Sequence, residues 1–437
     1  MGGFAFTSGD APLHTPRMPP CVYQAVKEQC QQSLLDLYEN VASPIEGPGK
    51  SDHGDVDLFV WKEKAPVESK GQGDEAAEFE PTSPSLVNPN PTPEHAIQAA
   101  LGAEFSIITN GGSHFAVPWP ADLDHAHVPH PPDQPKSYAQ VDVTILHSEE
   151  QFQWSLFRHA HGDIWSILGS VIRPYGLTVG EHAMCLRIPE IEKSNRNKAK
   201  VLLTQDPAEV LDFLGLPADQ YWAGPFASLD AMYEYVARCR MFWVPPATQD
   251  QPGEQEETPD GAGVKAEGDK QKLKSNDRRR MNSRPAFRVW VEDFLPRCRL
   301  ESRYSEERTS RDRVRQEAFD RFGVGAEYQR RLGEHARETQ VTHIWNHLIK
   351  DAFPASATYS PNVPQYRGCL IKALKKIILE GDETFGVLPD PEFPLKDDGG
   401  FYILGNVQEF INKHHQYVGS LALDRHCKML REQRAEA

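Results

Sequence analysis

GPGKSDHGDVDLFV, residues 47–60, is the stretch that decides how this chain is read. DVDLFVW (55–61) alternates in the manner of a strand. Val56, Leu58 and Val60 fall on one face, and Asp55, Asp57 and Phe59 on the other. Residues two apart on a strand lie about 6–7 Å apart, so the two carboxylates share one sheet face. Like charges on a half-buried surface repel and cost stability, and a cation makes them tolerable. Carboxylate oxygens are hard ligands, which suits Mg²⁺ or Mn²⁺. Just upstream, Gly47-Pro48-Gly49 breaks the chain. Glycine lets backbone N–H groups approach an anion closely, while Pro48 removes one such donor. Lys50 adds a charge and Ser51 a hydroxyl, so Gly47, Gly49, Lys50 and Ser51 together form a candidate phosphate grip.

A third acid lies in a second apolar strand. In YAQVDVTIL (138–146), Val141, Val143 and Ile145 alternate with Asp142, Thr144 and Leu146. If the two strands share a sheet, Asp55, Asp57 and Asp142 converge, as a two-metal site requires.

Around these strands the periodicity predicts mixed elements. Val22, Val26, Cys30, Leu34, Leu37 and Tyr38 predict a helix over 21–39, with a short strand at 41–45. Residues 63–95 are acidic and rich in Pro and Ser, the composition of a flexible insertion. A helix is expected near 93–102, and Asn110-Gly111-Gly112 between apolar runs signals a hairpin. Further on, 150–173 reads as helix and 176–188 as a hairpin. A strand is expected at 200–204, a helix from Asp206-Pro207 to Leu214, and another helix over 228–242.

These pieces resemble the DNA polymerase β-like nucleotidyltransferase superfamily. There a helix leads to a Gly-rich turn, then Asp-x-Asp on one strand, then a carboxylate on a later strand. The matching parts are helix 21–39, Gly47-Pro48-Gly49, Asp55-Val56-Asp57 and Asp142. TPRMPPCVYQAVKEQ (15–29), with the run through GDVDLFVW, is similar to fungal members of this type. The resemblance covers about residues 20–150. It implies a nucleotidyltransferase-like mixed sheet with flanking helices; beyond it, the periodicity of 285–437 predicts a mostly helical C-terminal domain, so the fold class expected is α+β. The domain plan is an extension at 1–19, the nucleotidyltransferase-like domain at 20–245, a polar linker at 246–284 and a helical domain at 285–437. The implied activity is transfer of a nucleoside monophosphate from an NTP to an acceptor hydroxyl on an RNA end, a protein or a small molecule. Asp55, Asp57 and Asp142 would be the catalytic metal ligands. The alternative is an inactive scaffold of this fold, or a module that binds RNA or protein.

The bulk composition bounds these readings. The 437 residues carry a formal charge of −16, which argues against wrapping duplex DNA. Residues 271–350 run the other way, with 19 Lys/Arg against 12 Asp/Glu. Seven scattered cysteines without CxxC argue against a disulfide scaffold or zinc ribbon and for a reducing cytoplasmic or nuclear setting. No apolar run approaches the roughly 20 residues of a membrane span. The basic run KQKLKSNDRRRMNSR (270–284) is either a polyanion contact or localisation signal, or a solvated helix entrance. ADLDHAHVPHPPD (121–133) holds three imidazoles but has the composition of a polar loop. In FRHAHGD (157–163), Asp163 is expected to cap the next helix. No GxSxG, HExxH or GxxxxGK[ST] motif points to other chemistry.

Overall fold

The computed structural model describes residues 3–8, 12–64, 92–109, 112–123, 136–245, 275–354 and 365–436. Most of the 63–95 insertion and of the 246–284 linker, and the imidazoles of 121–133, lie outside these residues.

The fold is α+β. The first compact unit comprises residues 1–187 and 200–324, and the second 188–199 and 325–437. Residues 285–324 are thus grouped with the sheet-bearing unit. The first unit opens with helix α1 (Pro20–Leu34), which begins on a proline at its first turn, where the missing N–H costs nothing. Strand β1 (Tyr38–Ala42) follows, then β2 (Asp55–Glu63), helix α2 (Pro93–Leu101), β3 (Phe105–Thr109), β4 (Gly112–Pro118) and β5 (Tyr138–Leu146). The strands form one mixed sheet in the order β1-β2-β5-β4-β3. β2 and β5 are parallel neighbours at its centre, and the other pairings are antiparallel.

The helix expected over 21–39 ends at Leu34, and the strand begins at Tyr38 rather than 41. Leu37 and Tyr38 continue the helical spacing. Tyr38, however, is buried in the strand and β1 pairs with β2 from Tyr38↔Glu63 onward, so sheet pairing overrides the local periodicity.

One sheet face is a dry core. Val56, Leu58, Val60, Val141, Val143, Phe115 and Val117 pack against Val22, Val26, Cys30 and Leu34 of α1 and Ile97 and Leu101 of α2. Val56, Leu58 and Val60 are fully buried. Strand alternation then commits Asp55, Asp57 and Asp142 to the opposite face. Burial of three aliphatic side chains on β2 alone is worth about 1.5–3 kcal/mol each, and a one-residue slip would turn the acids into the core. The register of the acids is therefore held by the apolar residues between them.

Beyond β5 run helices α3 (Glu149–His159) and α4 (Ile164–Ile172), then a small antiparallel sheet of β6 (Leu177–Val179), β7 (Met184–Arg187) and β8 (Lys200–Thr204). Helices Pro207–Leu214 and Leu229–Ala237 follow, each starting on a side-chain cap from Asp206 or Ser228. Asp163 stands at the start of α4 but makes no capping bond; its carboxylate accepts from Arg284 at 2.5 Å instead. The described part of the basic run is a helix, Ser275–Ser283, in which Arg280 pairs with Asp277.

The second unit is mostly helical. It includes Gly325–His343, Tyr366–Glu380 and Leu404–Glu436. Leu370, Leu374, Ile377 and Ile378 pack with Val407, Ile411 and Val418 in its own core. Arg330 and Arg331 pair with Glu327 and Glu334 along one exposed face. Among the described residues, no helix is long and apolar enough to cross a membrane.

Candidate metal centre

β2 and β5 carry the acids to one point. The parallel register sets Asp57 opposite Asp142, and Asp55 opposite Gln140. Adjacent strands lie about 4.8 Å apart, so residues paired in register and sharing a face bring their side chains together. Asp55, Asp57 and Asp142 each offer a carboxylate oxygen, and these atoms all lie within 4.8 Å of one another. All three residues are partly exposed, which leaves the cluster open to a ligand.

The electrostatics follow from that crowding. Burial, and then the neighbouring Asp55 and Asp142, push the Asp57 carboxyl up to about 7. Burial, and then Asp142, also raise Asp55. Lys50 acts in the opposite sense on both groups, which places the end of the Gly-rich turn within electrostatic reach of the acids. Among the described residues, no Lys or Arg pairs directly with Asp55 or Asp57. The donor set is all carboxylate, compact and short of counter-charge, and this fits a hard divalent cation such as Mg²⁺.

Asp142 is braced from two sides. Its Oδ1 lies 2.7 Å from His114 Nδ1, and His114 is its register partner on β4. Gln140 Nε2 donates to both oxygens, at 2.9 and 3.1 Å. Neither residue stands out in the sequence. His114 lies in the hairpin run FSIITNGGSHFAVPW, and its only signal is register with Asp142, which depends on tertiary pairing. Gln140 falls on the acid face of the same strand, two residues before Asp142. Alternation alone could have flagged it.

The Gly-rich turn is placed by a second turn. His161 N–H donates to Ile45 O at 2.7 Å. Gly47 packs on Gly162, where a Cβ would meet the Gly162 Cα at 3.4 Å, an ordinary contact distance. Gly49 has a φ of +70° in open space, a left-handed conformation that glycine adopts without strain. Lys50 and Ser51 are exposed. His161 itself is fully buried, with Nε2 against Tyr221 O at 2.8 Å, so it anchors this turn from below. His159 sits edge-on to Phe59, on the acid face of β2.

No protein family's profile matches the chain, and no curated protein matches it. Among solved structures, the chain shows a partial likeness to the ternary gap complex of Leishmania infantum polymerase beta. The match has 12% identity and a TM-score of 0.30, and covers 47% of this chain and 70% of that one.

Proposed function

We propose that the protein is a metal-dependent nucleotidyltransferase, moving a nucleoside monophosphate from an NTP to an acceptor hydroxyl. The observation that carries this reading is the convergence of three carboxylates, from two adjacent parallel strands, to within 4.8 Å. Asp55 and Asp57 would hold the divalent ions, Mg²⁺ or Mn²⁺, with Asp142 as the third ligand. An ion bound there would supply positive charge to the triphosphate and the attacking oxygen. Asp142 would favour loss of the acceptor's proton to solvent as the oxygen attacks. The acceptor oxygen forms a bond to the α-phosphorus, the bond to the β-phosphate oxygen breaks, and pyrophosphate leaves. Gly47, Gly49, Lys50 and Ser51 grip the triphosphate: the glycine backbone offers N–H groups, Ser51 a hydroxyl and Lys50 a positive charge.

The test is incorporation of label. Each α-labelled NTP is incubated with a cell extract, Mg²⁺ or Mn²⁺, and either the wild type or Asp55→Ala/Asp57→Ala. A labelled product with the wild type alone supports the assignment. Equal labelling by both proteins, or none under either metal, favours an inactive scaffold of the same fold.

A further inference from the structure

The segment Gly3–Phe6 lies on the acid-bearing face of the sheet, against β5 and against Gly54, the residue just before β2. Phe6 is buried with Ala116 and Tyr138. Gly3 is buried with φ +88°, and a Cβ there would stand 2.2 Å from the carbonyl oxygen of Gly54, the residue before Asp55. Ala5 N–H donates to Gln140 Oε1 at 2.9 Å.

Gln140 is 4% exposed, and its amide is spent on two partners. Oε1 accepts from Ala5, and Nε2 donates to both oxygens of Asp142. A reversed amide would set its oxygen against a carboxylate and its NH₂ against an N–H, so this network admits one orientation only. Ala5 therefore fixes which end of Gln140 faces Asp142. With His114 on the other side, the carboxylate is held before any ion arrives.

We propose that Gln140 is a positioning residue for the third metal ligand, and that the segment Gly3–Phe6 sets it. The proposal rests on the nucleotidyltransferase reading, since it gives Asp142 a task that needs a fixed carboxylate. A buried amide that both orients a ligand and partly neutralises its repulsion with Asp57 is the kind of outer partner whose loss weakens metal binding. Gly3 acts at one remove: with no room for a Cβ, any larger residue pushes the segment off Gly54 and loosens Ala5 from Gln140.

The experiment titrates Mn²⁺ into the full chain and follows free Mn²⁺ by electron paramagnetic resonance, far below the melting temperature. The variants are Gln140→Met, Gln140→Glu, Gly3→Ala and Gly3→Ala/Gln140→Met. Methionine keeps the volume without the hydrogen bonds, and its affinity is expected to fall roughly 10- to 100-fold. Glutamate keeps the shape but faces Asp142 with a charge, and should be at least as weak as methionine. Gly3→Ala should weaken binding less, and the double variant should be no weaker than Gln140→Met alone, because both act through one contact. In the labelling assay kcat should fall with the NTP KM nearly unchanged. Wild-type affinity in Gln140→Met overturns the positioning role while leaving the metal site standing. Additive losses in the double variant overturn the link through Ala5. Failure of the wild type to bind Mn²⁺ overturns the metal centre and this proposal with it.

Discussion

Replacing Asp57 by asparagine should stabilise the metal-free protein, the reverse of what most substitutions at a partly buried site do. Burial and two neighbouring acids raise this carboxyl from 3.8 to about 7. A rise of roughly three pH units, at ~1.4 kcal/mol each, bounds the cost of charging the group at about 4 kcal/mol. Partial exposure screens part of this, and about 2 kcal/mol is the expected gain for Asp57→Asn at pH 8. The sign follows from linkage. The folded protein holds the proton that the unfolded chain has already released. Stability from this group is therefore complete below about pH 4 and drains away as pH rises to about 7. The gain from asparagine should accordingly shrink to about a third of its size at pH 5. Urea denaturation in a chelator, at pH 5 and pH 8, reads both values. Added Mn²⁺ should then raise the midpoint of the wild type and leave the variant nearly unmoved. An asparagine variant less stable than the wild type at pH 8 without metal would refute the reasoning, because Asp57 would then have a protein partner for its charge.

Mn²⁺ affinity should rise about tenfold per pH unit up to about pH 7 and level off above it, since the proton on Asp57 must leave before an ion binds; a flat profile between pH 5.5 and 7.5 in a Mn²⁺ titration contradicts this. Lys50→Ala should raise the NTP KM by roughly tenfold with kcat little changed, as expected on losing one charge-assisted contact to the triphosphate; steady-state kinetics showing an unchanged KM would remove Lys50 from the grip. Leu58→Ala, in the fully buried layer between the acids and α1, should cost about 2–5 kcal/mol in urea denaturation; a loss below 1 kcal/mol would mean that this layer does not hold the register of β2.

Much of the centre was legible because it obeys a two-residue period. Val56, Leu58 and Val60 had to face a core, and Asp55 and Asp57 then had only one face left. The same held for Val141 and Val143 around Asp142. That β2 and β5 are direct parallel neighbours was not legible, because pairing across a long intervening stretch leaves no local mark. His114 is hidden for the same reason, since a histidine in a hairpin run acquires its role only through the residue set opposite it, whereas Gln140, two residues before Asp142 on the same strand, is legible from alternation. Local spacing places Tyr38 on a helix because it cannot register the pull of sheet pairing. Asp163 looked like a helix cap, but Arg284, far along the chain, offered its carboxylate a charged partner.

The most direct test of the metal centre is anomalous diffraction from crystals soaked in Mn²⁺ with a non-hydrolysable NTP. The account predicts a peak within about 2.1 Å of an oxygen from each of Asp55, Asp57 and Asp142, with the triphosphate lying along Gly47–Ser51. No peak at this cluster, or one bound by a single acid with the other two turned away, would contradict it.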